Sequence, residues 1–177
     1  MTFDRCKYKA LVHYICCTCH DPTKLGTVKL HKILWLSDVL AFLNFNKPIT
    51  SETYIKKDYG PFSSHLSDMI KELEREKRLS VREIEWAEGK KKREFIGSGD
   101  PDKSLFTAEE IRLINDIRDY VCDDHTAGTI SDLTHDDIWK MACMNEQLPY
   151  EAILVSDLAT VTKEDLLWAK EEISKAQ

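Results

Sequence analysis

The chain has 177 residues, 42% hydrophobic and 32% charged, with only 6 Gly and 5 Pro. That composition excludes a collagen-like, low-complexity or mainly disordered chain, and so few turn-forming residues disfavour a many-turned sandwich or barrel. The net charge of −6 is unevenly spread, with residues 1–97 carrying 18 Lys/Arg against 13 Asp/Glu and residues 98–177 carrying 7 against 18. A two-signed molecule of this kind can meet an acidic partner with one half and a basic partner with the other.

In chain order, Tyr8, Leu11, Val12, Ile15, Cys16 and Cys19 recur at helical spacing and predict an amphipathic helix that ends at Asp21-Pro22. Lys24–Thr27 reads as a short loop. Residues 28–44 then predict a helix that is apolar almost all round after Ile33, the pattern of a central buried helix. Asn46–Phe62 holds two Pro and one Gly and reads as extended or looped. Ser63 or Ser64 is placed to cap a third helix, with Leu66, Met69, Ile70 and Leu73 inward and opposite charges laced along its outer face.

Val81–Trp86 and Lys91–Ile96 predict a β-hairpin. Ser98–Ser104 is the best linker. Thr107-Ala-Glu-Glu110 is a capping box that opens a helix with Ile111, Ile114, Ile117 and Val121 inward. Thr134-His-Asp-Asp137 approximates a second box, opening a short helix with Ile138 and Trp139 that Leu148-Pro149-Tyr150 breaks. Thr162-Lys-Glu-Asp165 predicts a terminal helix. The expected fold is mainly α, with six to seven helices and one small antiparallel hairpin. It forms one domain over residues 1–177, in two helical halves joined near 98–104.

The N-terminal MTFDRCKYK lacks the apolar core of a secretory signal, and Ile33–Phe45 falls short of a bilayer span, so a cytoplasmic protein without a membrane partner is expected. Its six Cys then read as free thiols. Cys16 and Cys19 have the spacing of one half of a zinc site, but Cys122, His125 and Cys143 supply no matching second pair. Packing of Cys16 and Cys19 in the core is the expectation, with Cys17 off the apolar face as a candidate reactive thiol; a metal- or thiol-dependent protein is the weakest alternative.

Asp38, within the buried-helix pattern, must be hydrogen-bonded, paired or at a surface, and is expected to tie its helix to a neighbouring loop. Lys90, Lys91, Lys92 and Arg93 lie at the tip of the predicted hairpin, as in the wing of a winged helix, and could contact phosphates. Against that, the preceding helix carries Asp68, Glu72, Glu74 and Glu76, which repel phosphate. A DNA-binding autoregulator is therefore the second reading. Tyr54-Ile-Lys-Lys-Asp-Tyr-Gly-Pro-Phe62 mixes aromatics and cations before a helix, the composition of an interface. No phosphate-binding loop, nucleophile elbow or zinc-protease motif is found, so these residues point to a non-enzymatic binding protein without cofactor or metal.

Five motifs in order are similar to those of the SocA-like antitoxins, the Panacea domain family. Lys29-Leu-His-Lys-Ile-Leu-Trp-Leu-Ser-Asp38 resembles the K-L-x-K-[LI]-L-[YW]-x-[AS]-D run, and Pro48-Ile-Thr, Thr53-Tyr54 and Tyr59-Gly60-Pro61 resemble the stretch that follows it. Glu72-Leu-Glu-Arg-Glu76, Leu133-Thr-His-Asp-Asp-Ile-Trp139 and Leu148-Pro149-Tyr150-Glu151 resemble the later segments. Leu36 stands where the family often has an aromatic, and residues after Ser156 match nothing in the motif set.

The resemblance implies a small helical domain of toxin–antitoxin pairs and phage or prophage regions, which binds a cognate toxin protein. In some members it implies an adaptor that delivers the toxin to a protease. It marks Lys32, Asp38, His135, Trp139, Pro149, Tyr150 and Glu151 as structural. The expected contact residues are Tyr54, Lys56, Lys57, Tyr59, Gly60, Pro61 and Phe62.

Overall fold

The computed structural model describes residues 1–87 and 89–155. Its elements are α1 (Arg5–Thr18), α2 (Thr27–Phe45), β1 (Tyr54–Lys57), β2 (Gly60–Ser63), α3 (Leu66–Arg75), β3 (Leu79–Ala87), β4 (Lys90–Gly97), α4 (Ala108–Asp119), α5 (Ala127–Leu133) and α6 (Asp137–Met141). Short 3-10 turns cover Pro22–Lys24 and Tyr150–Val155, and a π-turn covers Tyr120–Asp124. The architecture is mainly helical with two small antiparallel sheets. The terminal helix expected from Thr162 lies outside the described residues.

The centre is α2. Leu30, Ile33, Leu34, Trp35, Leu36, Val39 and Ala41 are all buried, and α1, β2, α4 and α5 pack around them. A helix with apolar residues on every side can shed water only by being surrounded. α1 contributes Tyr8, Leu11, Val12, Ile15 and Cys16 to the same core, α3 adds Leu66, Met69 and Leu73, and α4 adds Ile114 and Ile117. The predicted hairpin forms as β3–β4, in register from Leu79↔Gly97 to Ala87↔Lys90. It packs on α1 at Gly97, where a Cβ would meet the Cys17 backbone nitrogen at 2.5 Å. The Thr107–Glu110 capping box is present, the hydroxyl taking the Glu110 N–H and the carboxylate taking the Thr107 N–H. Among the described residues no helix is long and apolar enough to cross a membrane.

Four local expectations are corrected. Asn46–Phe62, read as extended or looped, holds extended strands that pair as a second hairpin, β1–β2, where one hairpin was expected. Its edge is completed by a distant segment: Ile55 bridges Gln147, and the Leu148 N–H donates to the Tyr54 carbonyl at 2.8 Å. That pairing has no local signature. Neither Ser63 nor Ser64 caps α3. Ser63 belongs to β2, and the buried carboxylate of Glu52 takes the Ser64 and His65 N–H groups at 3.0 and 3.2 Å.

The outer charges of α3 reach across to α1, where Glu72 meets Arg5 and Lys9 and Glu76 meets Lys9. Thr134 does not open α6. Its hydroxyl donates back to the Ile130 and Ser131 carbonyls, and Asp136 accepts the Trp139 N–H at 2.8 Å instead. The helix α5 was not expected: seven residues are too few to show a period, and its box is closed by Thr129 in place of Glu.

Candidate functional site

The central helix is apolar but also carries buried polar side chains, and each reaches a different neighbour. Asp38 accepts the Thr50 N–H at 2.7 Å, the Thr50 hydroxyl at 2.6 Å and the Tyr54 hydroxyl at 2.9 Å. Burial raises its pKa to about 6 against the pull of those donors. The buried His31 accepts the Ser63 N–H through Nδ1 at 3.1 Å, which requires a neutral ring; burial and the Lys32 charge hold its pKa down at about 3. Lys32 points at the Pro61 carbonyl, 3.4 Å away, and burial lowers its pKa to about 7. Together these residues hold the entry to β1 and the whole of β2 against α2.

The tip of the β1–β2 hairpin is built outward from that anchorage. The chain turns through Asp58 and Tyr59, closed by Gly60 at φ +98°, a conformation that favours glycine. A Cβ there would overlap the Lys32 ammonium and approach the Thr134 hydroxyl to 2.9 Å. Motif residues from α2, β2 and the segment after α5 therefore converge at one point. The Ser131 hydroxyl donates to the Tyr59 carbonyl at 3.2 Å, and Trp139 Nε1 donates to the Lys57 carbonyl at 3.2 Å. His135 stacks on Trp139 with centroids 3.7 Å apart, and Lys56 Nζ lies 4.2 Å from the Trp139 ring centroid. Lys56 Nζ also donates to the Ala142 carbonyl at 2.9 Å, and Lys57 Nζ to Asn145 Oδ1 at 2.5 Å.

This geometry divides the expected contact residues. Tyr59 is 69% exposed, and Lys56 and Lys57 are half-buried beside it. Tyr54, Gly60 and Pro61 are buried and offer no surface; Tyr54 packs edge-on against Trp35 as well as binding Asp38. Phe62 is half-buried against His31, with centroids 4.1 Å apart. Two exposed methionines, Met141 at 82% and Met144 at 50%, lie in the segment that pairs with Lys56 and Lys57. Sequence reading missed both, since nothing local links them to the hairpin. Of the residues marked as structural, Tyr150 donates to the Glu52 carbonyl and stacks on Trp35, while Pro149 and Glu151 are exposed.

The remaining candidates lie elsewhere. Arg93 and Lys91 sit 3.1 and 3.8 Å from Glu83, so these two cations are turned to a protein carboxylate, while Lys92 donates to the Thr23 carbonyl. Lys90 belongs to the same strand. Cys16 and Cys19 are in the core, where burial pushes the Cys16 thiol well up, and half-buried Cys17 lies 3.1 Å from His13 Nε2. Among the described residues no group of His, Cys, Asp and Glu is placed to hold a metal ion.

A family model described as antitoxin SocA-like, Panacea domain, matches residues 30–140. That stretch begins in α2 and ends in α6, and so encloses the whole hairpin and most of its supports. Comparison with curated proteins gave no match, and comparison with solved structures gave none.

Proposed function

The chain belongs to the SocA-like antitoxin family, the family of the Panacea domain, and from that premise we propose that it neutralises a toxin protein by binding it directly through the tip of the β1–β2 hairpin. Membership supports a toxin–antitoxin role; the mode of action is inferred from the hairpin. The observation that carries it is Tyr59, a large aromatic left 69% exposed on a turn whose backbone is fixed from several sides. A side chain presented on a rigid support loses little further freedom on binding, and buried Tyr and Trp anchors supply most of the energy at interfaces. Met141 and Met144, exposed in the segment bonded to Lys56 and Lys57, add flexible apolar surface that can adjust to a partner. Lys56 and Lys57 supply positive charge for an acidic rim.

The experiment is co-expression of the full chain with the product of the neighbouring open reading frame, followed by growth measurement and co-purification. Rescue of growth and a stable complex are expected. With that complex in hand, Tyr59→Ala should weaken binding by about 2 kcal/mol, the scale of a hot-spot residue, without loss of helical signal. Failure of rescue and of co-purification would remove the proposal. Unchanged affinity in Tyr59→Ala would move the contact surface off the hairpin.

A further inference from the structure

A separate feature is an open cleft of about 920 Å³ lined by the first turn of α2, the strands β3 and β4, and the start of α5. Its size falls within the range of small-molecule sites, roughly 300–1,000 Å³. Lys24, Lys29, Lys91, Lys92, Arg93 and His125 line it, with Glu83 as the carboxylate among the lining residues. Some of that charge is already matched: Arg93 and Lys91 share Glu83, and Lys24 pairs with Asp123 at 2.7 Å.

Lys29 and Lys92 are different. Among the described residues neither has a carboxylate at ion-pair distance, although the charges of Asp123 and Asp21 reach Lys29 and Lys92 respectively; Lys29 Nζ donates to the Cys122 carbonyl at 3.1 Å, and Lys92 to the Thr23 carbonyl. Each ammonium has three N–H groups, so both retain donors to spare. Lys29 is only 8% exposed. Burial, with the charges of Lys92 and Lys24 beside it, lowers its pKa, and the Asp123 carboxylate that feels its charge is already paired with Lys24, so a further anion is favoured there. The carbonyl it holds belongs to the π-turn that ends α4, an irregularity found often at functional sites.

The rest of the wall completes the description of the ligand. α2 begins at Gly26 with no side-chain cap, so its positive end faces the same space. Val28, Ala127 and the aliphatic stems of the lysines give the cavity apolar walls. Anion-binding groups at one place and apolar surface around them suit a phosphate attached to an organic body. An acidic polypeptide would instead be met by a broad, flat charged face.

We propose that this cleft binds a phosphorylated small molecule of nucleotide size, its phosphates held between Lys29 and Lys92 at the start of α2. The site is independent of the hairpin tip, so its test does not depend on toxin binding.

The test is calorimetric titration of the full chain with inorganic pyrophosphate, with ATP, with adenosine and with an oligo-glutamate peptide. Pyrophosphate and ATP are expected to bind, adenosine is not, and affinity should fall steeply as salt screens the lysines. Lys29→Met with Lys92→Met should weaken ATP binding at least about tenfold, the scale of losing charge-assisted hydrogen bonds, whereas Lys71→Met on α3 should leave it unchanged. If the double variant does not fold, the single Lys92→Met variant on the β4 surface decides by the same loss. No binding of either phosphate at about 1 mM, a value typical of the weakest specific sites, would overturn the proposal. So would wild-type affinity in the lysine variants, or binding of the glutamate peptide alone.

Discussion

Lys32 gives the sharpest test of the physical reasoning. Its side chain is 1% exposed, and among the described residues it has one hydrogen bond, a long 3.4 Å to the Pro61 carbonyl, and no carboxylate pairs with it. Burial alone takes its pKa from 10.5 to about 7, which corresponds to at most about 5 kcal/mol of unfavourable charging. Below about pH 7 the amine is protonated in both the folded and unfolded chain, so the native state bears that whole penalty. Between about pH 7 and the ordinary lysine value of 10.5 the native amine is neutral while the unfolded one still holds its proton. The unfolded state then binds more protons, and the contribution of Lys32 to stability rises with pH by up to about 1.4 kcal/mol per pH unit.

Lys32→Met keeps the volume and removes the charge. We expect the variant to be more stable than the wild type near pH 6.5, by a few kcal/mol, with an advantage that shrinks steadily above about pH 7. Equilibrium urea unfolding of both proteins from about pH 6.5 to 9 measures this. Taking the difference between them cancels the thiols and tyrosines that also titrate in alkali. A variant less stable than the wild type at the acid end, or a difference that does not change with pH, would refute the account.

Three further outcomes follow from the same geometry. Asp38→Ala leaves the Thr50 N–H, the Thr50 hydroxyl and the Tyr54 hydroxyl without their acceptor, and should cost about 2–4 kcal/mol, read as a lower melting temperature; an unchanged value would contradict its role. Gly60→Ala places a Cβ against Lys32 at φ +98° and should destabilise by at least about 2 kcal/mol, with the combined Gly60→Ala and Lys32→Met variant recovering part of the loss in the same unfolding assay. Because burial raises the Asp38 pKa to about 6, the folded state holds that proton from about pH 4 to 6 while the unfolded state releases it. This group's contribution therefore falls as pH rises through that window, and Asp38→Asn, compared with the wild type by urea unfolding, should flatten the slope.

The long periodic elements were legible in the residues themselves. α1, α2, α4 and the β3–β4 hairpin all carry a period or a cap within a single stretch, and local physics is enough to read them. The motif run from Lys29 to Asp38 also carried the family resemblance that the match over residues 30–140 confirms. What could not be read this way was every feature whose partners are far apart in the chain. β1 finds its outer neighbour at Gln147, α3 finds its cap at Glu52, and the charges of Glu72 are met by Arg5 and Lys9.

The aromatic stretch from Tyr54 to Phe62 shows the division most clearly. Its composition marked it as unusual, but only the folded chain sorted it, sending Tyr54 into the core against Asp38 and leaving Tyr59 outside. The same is true of the lysines. Sequence shows that Lys29 and Lys32 are cations on an apolar helix; it cannot show that each ends on a backbone carbonyl and, among the described residues, without a carboxylate at ion-pair distance, because a side chain's electrostatic environment is assembled from every segment that packs around it. Periodicity is a property of neighbours along the chain, whereas burial, partner choice and exposed surface are properties of neighbours in space.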